Sequence, residues 1–205
     1  MTKRIWLVDA GTGNLQSVQH ALESLEADVI RTDKPEDLKD ASCLVLPGVG
    51  AFGAFMAGLN QRGLSDVITS AVKAGRPVLG ICVGMQALFD VSFEMGEFPG
   101  LGLIPGKVVK FPPIQGIKIP HTGWNQLHPV RSNPLFDGLS EGCYAYFNHS
   151  FYCEPSEKLH MLATTDYGMD FTSVVQKENL FGVQFHPEKS QRTGLTILSN
   201  FLKLA

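Results

Sequence analysis

Cysteine is scarce and unpaired in this sequence. Its four copies, Cys43, Cys82, Cys143 and Cys153, form no C-x-x-C pair, which leaves a zinc ribbon or a thioredoxin-like redox motif without support. A surplus of one charge is also lacking. Lys and Arg number 17 against 20 Asp and Glu, a net charge of -3, so no electrostatic footprint points to nucleic acid or to an anionic membrane. Long apolar runs are missing as well. Ile5-Trp6-Leu7-Val8 stops at Asp9, too short for a secretory signal, and no stretch nears the length of a membrane span. The expectation is a cytoplasmic chain whose thiols stay reduced. There is no internal repeat, low-complexity segment or dividing linker. With 44% apolar and 18% charged residues, the chain reads as one globular domain over residues 1–205.

What is present is an alternation of periods. Arg4 to Asp9 reads as a buried strand closed by the turn Gly11-Thr12-Gly13-Asn14. Leu15, Val18, Ala21, Leu22 and Leu25 then recur at helical spacing. Strands are expected at Asp28 to Arg31, Cys43 to Leu46 and Pro77 to Ile81. Helices are expected from Phe52 to Ala74, with a break near Gly63, and from Val83 to Phe89. This β-α-β-α order predicts an α/β fold with a central, mostly parallel sheet and helices on both faces. The second half is richer in strands: Val108 to Phe111, Tyr144 to Tyr152, Met161 to Thr165, Ser173 to Gln176 and Gly182 to Phe185 all read extended. The last two are expected to pair as a hairpin, and Gly194 to Leu204 closes the chain as a helix.

The chemistry centres on Gly80-Ile81-Cys82-Val83-Gly84. A strand runs into the cysteine, a helix leaves it, and a glycine stands two places away on each side: the thiol form of a nucleophile elbow. The sharp turn strains the central residue and crowds its neighbours, hence the glycines. It lifts the sulfur to the carboxyl end of the sheet, beside a helix N-terminus whose dipole favours the reactive thiolate. A cysteine nucleophile needs a base, and the base needs an orienting group. Phe185-His186-Pro187-Glu188 supplies both. His186 and Glu188 lie two apart at the end of an extended run, able to point the same way, with Pro187 keeping the backbone non-helical. Acyl transfer also needs backbone N–H donors for the developing oxyanion. Val83, directly after the nucleophile, is one candidate. Val49, in the loop Pro47-Gly48-Val49-Gly50, is the other. Gly11-Thr12-Gly13-Asn14 is no dinucleotide fingerprint, because Gln16 stands where the third glycine belongs. No cofactor and no metal is called for.

Together with Gln86, these motifs resemble the class I, triad-type glutamine amidotransferases. The resemblance sharpens with Asp9-Ala10-Gly11-Thr12-Gly13-Asn14-Leu15, Gly123-Trp124-Asn125, Tyr146-Phe147-Asn148-His149-Ser150 and His186-Pro187-Glu188-Lys189-Ser190. It is then similar to the glutaminase subunits of imidazole glycerol phosphate synthase along nearly the whole chain. The resemblance implies that Cys82 attacks the side-chain amide of glutamine. It places Gly50, Gln86, His149 and Ser150 against that glutamine, and Asn14, Trp124 and Lys189 on a face docking a (β/α)8-barrel cyclase subunit as a heterodimer. The ammonia would then be used to make imidazole glycerol phosphate and an aminoimidazole carboxamide ribotide in histidine biosynthesis. It also implies that the partner reorganises the Val49 loop. Val83, Ala10 and Asn148-His149-Ser150-Phe151 depart from the commonest family pattern. The residues alone leave open a glutaminase serving another synthase, such as one of surface-sugar synthesis, a free-standing cysteine hydrolase with the same elbow, and a redox-sensing thiol at Cys82.

Overall fold

The computed structural model describes residues 3–205; Met1 and Thr2, part of the expected domain, lie outside the described residues. The first half alternates as expected: β1 (Arg4–Val8), α1 (Leu15–Glu23), β2 (Asp28–Thr32), the single turn α2 (Pro35–Leu38), β3 (Leu44–Gly48), α3 (Phe52–Gln61), α4 (Leu64–Lys73) and β4 (Val78–Cys82). Gly63, at φ 68°, makes the break between α3 and α4. After it come α5 (Val83–Gln86), β5 (Phe89–Ser92), β6 (Phe98–Pro99), β7 (Ile104–Lys110), β8 (His121–Gln126), β9 (His128–Pro129), β10 (Tyr144–His149), β11 (Phe151–Pro155), β12 (Met161–Asp166), β13 (Asp170–Lys177), β14 (Leu180–Val183) and α6 (Gln191–Leu204).

The main sheet runs β2-β1-β3-β4-β14-β13-β11-β7-β5-β6, with β12 and β9 branching from β13. It is mixed. From β2 to β14 every neighbour is parallel, and beyond β14 the pairing turns antiparallel through β13, β11 and β7. Every residue of β3 and β4 is buried, which requires cover on both faces and explains their unbroken apolar sequence. The hairpin from β13 into β14 forms where the sequence places it, Lys177 opposite Leu180. Among the described residues no helix is long and apolar enough to cross a membrane.

Two expectations are corrected. The helix expected over Val83 to Phe89 is one turn, and Phe89–Ser92 is a strand. The carbonyl of Leu88 accepts the N–H groups of Leu103 and Ile104, and that of Ala87 accepts Leu101, so sheet and loop contacts take the backbone groups that a longer helix would use. The strand expected from Tyr144 to Tyr152 is two. Tyr144–His149 pairs with β8, and Phe151–Pro155 crosses to β7. The switch falls at Ser150, and it brings that corner to the carboxyl end of β4.

β8 and β10 form a separate two-stranded sheet, a unit of marginal stability on its own. Aromatic packing fixes it to the main sheet. Phe171 of β13 is buried with ring centroids 5.7 Å from Phe147 and from His121, 5.2 Å from His149 and 5.2 Å from Phe111. Phe171→Ala is expected to lower the unfolding free energy by about 3–5 kcal/mol, read from urea titrations, because a cavity would open where the two sheets meet.

Candidate active site

The elbow is built by close contact. Gly48 and Cys82 pair at the carboxyl ends of the parallel strands β3 and β4, and α5 starts at the next residue. Cys82 adopts φ 55°, ψ -111°, a strained conformation for a residue with a side chain. The glycines around it admit no alternative. A Cβ on Gly84 would overlap the Leu46 carbonyl oxygen, and one on Gly80 would sit 2.6 Å from the carbonyl oxygen of Gly84. Since α5 is a single turn, the field reaching Cys82 is that of its few free N–H groups rather than of a long helix.

His186 and Glu188 meet, by a different local geometry from the one expected. Pro187–Lys189 is a turn of 3-10 helix with Pro187 at its first position, so the pair closes across a turn and not along a strand. His186 Nδ1 lies 3.0 Å from Glu188 Oε1, and both side chains are almost fully buried, at 4% and 1% exposure. Ser190 pins the turn from both sides: its hydroxyl donates to the His186 carbonyl at 2.6 Å and accepts the Tyr146 N–H at 2.9 Å. With Nδ1 committed to Glu188, Nε2 is the ring nitrogen left for Cys82. Burial alone would push the His186 pKa down. Hydrogen bonds to Cys82 and Glu188, with the negative charge of both, outweigh it and raise the value to about 10.

Cys82, Val83, Gln86, His186, Val49, Gly50, His149 and Ser150 line one cavity of about 300 Å³. Glu188 stands behind His186, outside the lining. Asn14 and Lys189, expected on a docking face, line the same cavity. Trp124 does not; it is 46% exposed, edge-on to Tyr146 at 6.0 Å, and the Lys189 Nζ lies 5.8 Å from the Tyr146 ring centroid. The three side chains make one strip leading from the cavity to the surface. The two glycines around Val49 differ: Gly50, at φ 89°, has open space where a Cβ would stand, whereas a Cβ on Gly48 would lie 2.8 Å from the Gly84 nitrogen.

The polar contacts refine the expected roles. Gln86 spends both amide hydrogens inside the protein, on the Phe151 carbonyl and on Gln184 Oε1, each at 3.1 Å, which leaves only its oxygen for a ligand. His149 has neither ring nitrogen free. Nδ1 lies 2.8 Å from the Phe151 carbonyl oxygen and Nε2 lies 3.2 Å from His121 Nδ1. Burial keeps this pair neutral, lowering the pKa of His149 to about 3 and of His121 to about 4.

Three groups in the site were not singled out from sequence. Glu94 lines the cavity and accepts the Phe52 N–H at 2.7 Å, at the start of α3. The fully buried Gln184 reaches the Cys82 sulfur with its Nε2 at 3.8 Å. His121 backs His149. A lone Glu after a strand carries no signal. Gln184, two places before His186, shares the extended run that marks the base, and that spacing is the one clue the sequence offers.

Comparison with known proteins gives a consistent neighbourhood. The family profile described as "Glutamine amidotransferase class-I" matches residues 6–205. The chain is 46% identical over 203 residues to "Imidazole glycerol phosphate synthase subunit HisH" of Salinibacter ruber, covering 97% of this chain and 93% of that protein. It is 48% identical over 200 residues to the protein of the same name from Moorella thermoacetica, covering 98% and 94%. Among solved structures, a chain in "Structure of PurLQS from Thermotoga maritima" aligns over 100% of this chain and 99% of its own length with TM-score 0.77 at 20% identity, a likeness of fold.

The pKa shifts carry a pH signature. The His186 value is raised above 6.5, so its contribution to stability is complete below pH 6.5 and is lost as pH rises through about 10. For His121 and His149, lowered from 6.5, the contribution is complete above pH 6.5 and is lost as pH falls through about 4 and about 3. Urea midpoints are expected to fall on both sides of neutrality, and Glu188→Gln is expected to flatten the alkaline limb while sparing the acid one.

Proposed function

This chain belongs to the class-I glutamine amidotransferase family, and from that premise we propose that it is the glutaminase subunit of an imidazole glycerol phosphate synthase. It hydrolyses L-glutamine to glutamate and ammonia, and the ammonia is consumed by a (β/α)8-barrel cyclase with which it forms a heterodimer in the cytoplasm. There the ammonia goes into imidazole glycerol phosphate and an aminoimidazole carboxamide ribotide. The observation that carries the reading is one cavity holding a strained elbow cysteine and a histidine whose far nitrogen is 3.0 Å from a buried carboxylate.

The steps follow from these groups. His186 Nε2 takes the Cys82 proton first, and the sulfur then attacks the side-chain amide carbon of glutamine as the anion. The carbonyl oxygen becomes an oxyanion, met by the backbone N–H of Val83 and, when the loop is turned, of Val49. A donor of this kind typically contributes 10²–10³ in rate, about 3–4 kcal/mol. The tetrahedral centre collapses as His186 returns the proton to the departing nitrogen, releasing ammonia and leaving a glutamyl thioester on Cys82. Water, deprotonated by His186, attacks the thioester carbon. The second oxyanion expels the sulfur, which recovers its proton from His186, and glutamate leaves. Glu188 holds the imidazole in one tautomer and stabilises its charged form. Gln86 offers its carbonyl oxygen, Ser150 and Gly50 the adjoining wall, and Glu94 a carboxylate matched to the α-ammonium group of the substrate. His149 acts through the Phe151 carbonyl rather than by touching glutamine with its ring. The cavity opens beside Asn14 and Lys189, with Trp124 further out, and these form the docking rim for the cyclase. Partner control of the Val49 loop keeps glutamine from being hydrolysed when no acceptor for ammonia is present.

Glutamate release is expected to be slow for the chain alone and to rise strongly with a cyclase bound to its ribonucleotide ligand. Cys82→Ala abolishes it, and Glu188→Gln lowers kcat by roughly 10²–10⁴-fold. A Cys82-dependent rate that ignores the cyclase would keep the glutaminase and assign its ammonia to another synthase. No release in any condition would overturn the reading.

A further inference from the structure

The hydrogen-bond chain behind Cys82 has only one consistent arrangement of protons. It starts at Asn125, whose Oδ1 accepts the Gln126 N–H at 2.8 Å and whose Nδ2 donates to the Asp166 carbonyl at 2.7 Å. A backbone N–H and a backbone C=O thus fix which end of the amide is which. The remaining Nδ2 hydrogen points to His121 Nε2 at 3.3 Å, which makes that nitrogen an acceptor and puts the ring proton on Nδ1. His121 Nδ1–H donates to His149 Nε2 at 3.2 Å, so His149 carries its proton on Nδ1 and gives it to the Phe151 carbonyl at 2.8 Å. That carbonyl also accepts from Gln86 Nε2 at 3.1 Å, filling its two lone pairs and orienting the Gln86 amide. The second Gln86 hydrogen goes to Gln184 Oε1 at 3.1 Å, and a flipped Gln184 would set two NH₂ groups face to face. Gln184 therefore presents Nε2–H to Cys82 Sγ, at 3.8 Å.

We propose that Gln184 is a further catalytic residue, donating a hydrogen bond to the Cys82 sulfur, with Gln86, His149, His121 and Asn125 as the positioning residues that fix its direction. This rests on the reading of Cys82 as the nucleophile. Sulfur carries negative charge twice in the cycle: before it attacks the amide and as it is expelled from the thioester. An N–H group held on it by a buried, fully specified chain stabilises that charge without reorganisation. It supplements His186, which must give up its hydrogen bond to sulfur whenever it passes a proton to the substrate. Gln184 has no acidic proton to lose and keeps its donor throughout. The chain stays directional at neutral pH because burial holds both histidines uncharged.

The test follows Cys82 without needing turnover. Iodoacetamide alkylation of Cys82, located by mass spectrometry, is measured against pH for the wild type, Gln184→Met and Gln184→Glu. Gln184→Met removes the donor at similar volume. Gln184→Glu keeps the shape and replaces the donor by an anionic acceptor, so it serves even if the first variant fails to fold. The expected result is a displacement of the alkylation profile to higher pH in Gln184→Met, slowing the rate at neutral pH by about ten- to a hundredfold, the worth of one hydrogen bond to a charged group. The displacement should be larger in Gln184→Glu, and Gln86→Leu, which frees the Gln184 amide, should give a smaller one. In the glutaminase assay Gln184→Met and Gln184→Glu lose kcat with KM for glutamine unchanged. Superimposable alkylation profiles would overturn the proposal whatever the activity. Displaced profiles in a protein that releases no glutamate under any condition would support Gln184 and sink the glutaminase reading instead.

Discussion

Everything in the site hangs on one steric constraint, the approach of the turn after Cys82 to the Leu46 carbonyl of the neighbouring strand. Only a residue with no side chain fits at Gly84, and only because it fits can the chain reverse within one residue of the nucleophile. The cost of a cysteine at φ 55° is carried by its surroundings: β3 and β4 pair through Gly48 and Cys82, and β14 pairs with β4 up to Val183. That last pairing also determines where the base comes from. β14 ends one strand away from the sulfur; Gln184 follows it directly, and His186, two residues further on, is held by its N–H on the Tyr146 carbonyl.

Electrostatics then divides the buried polar groups into two kinds. Around His186, two negative partners overcome desolvation and favour the charged ring. Around His149 and His121, no anion approaches, and desolvation wins. The same side chain, at similar burial, is thus set for proton transfer in one place and for rigid hydrogen bonding in the other. The aromatic packing of Phe111, Phe147 and Phe171 around the neutral pair supplies the low-polarity surroundings that keep it so.

The parts of this arrangement legible in the sequence are those encoded by neighbours in the chain. The elbow glycines flank Cys82, Gly48 and Gly50 flank the cavity-lining Val49, and His186 and Glu188 stand two apart. The parallel half of the sheet was equally legible, because buried strands and amphipathic helices leave different periods. What escaped depends on long-range pairing. Gln184 and Gln86 touch across 98 positions of sequence, His121 and His149 across 28, and Glu94 caps α3 from 42 residues away. The break at Ser150 is not marked by glycine or proline, so the run reads extended on both sides of Asn148-His149-Ser150. From sequence, Pro187 keeps the backbone non-helical, whereas in the structure its fixed φ opens a turn of 3-10 helix.

The 3-10 turn Pro187–Lys189 faces two ways. Glu188 points into the protein against His186, while Lys189, the next residue, lies near the Tyr146 ring beside Trp124. Ser190 clamps the end of that turn to His186 and to the backbone of Tyr146. The buried acid and the outer strip of side chains therefore belong to one short, hydrogen-bonded turn. Substitutions on this stretch of surface must also preserve the carboxylate one residue inward, so in this protein the exposed side chains and the buried acid share one backbone constraint.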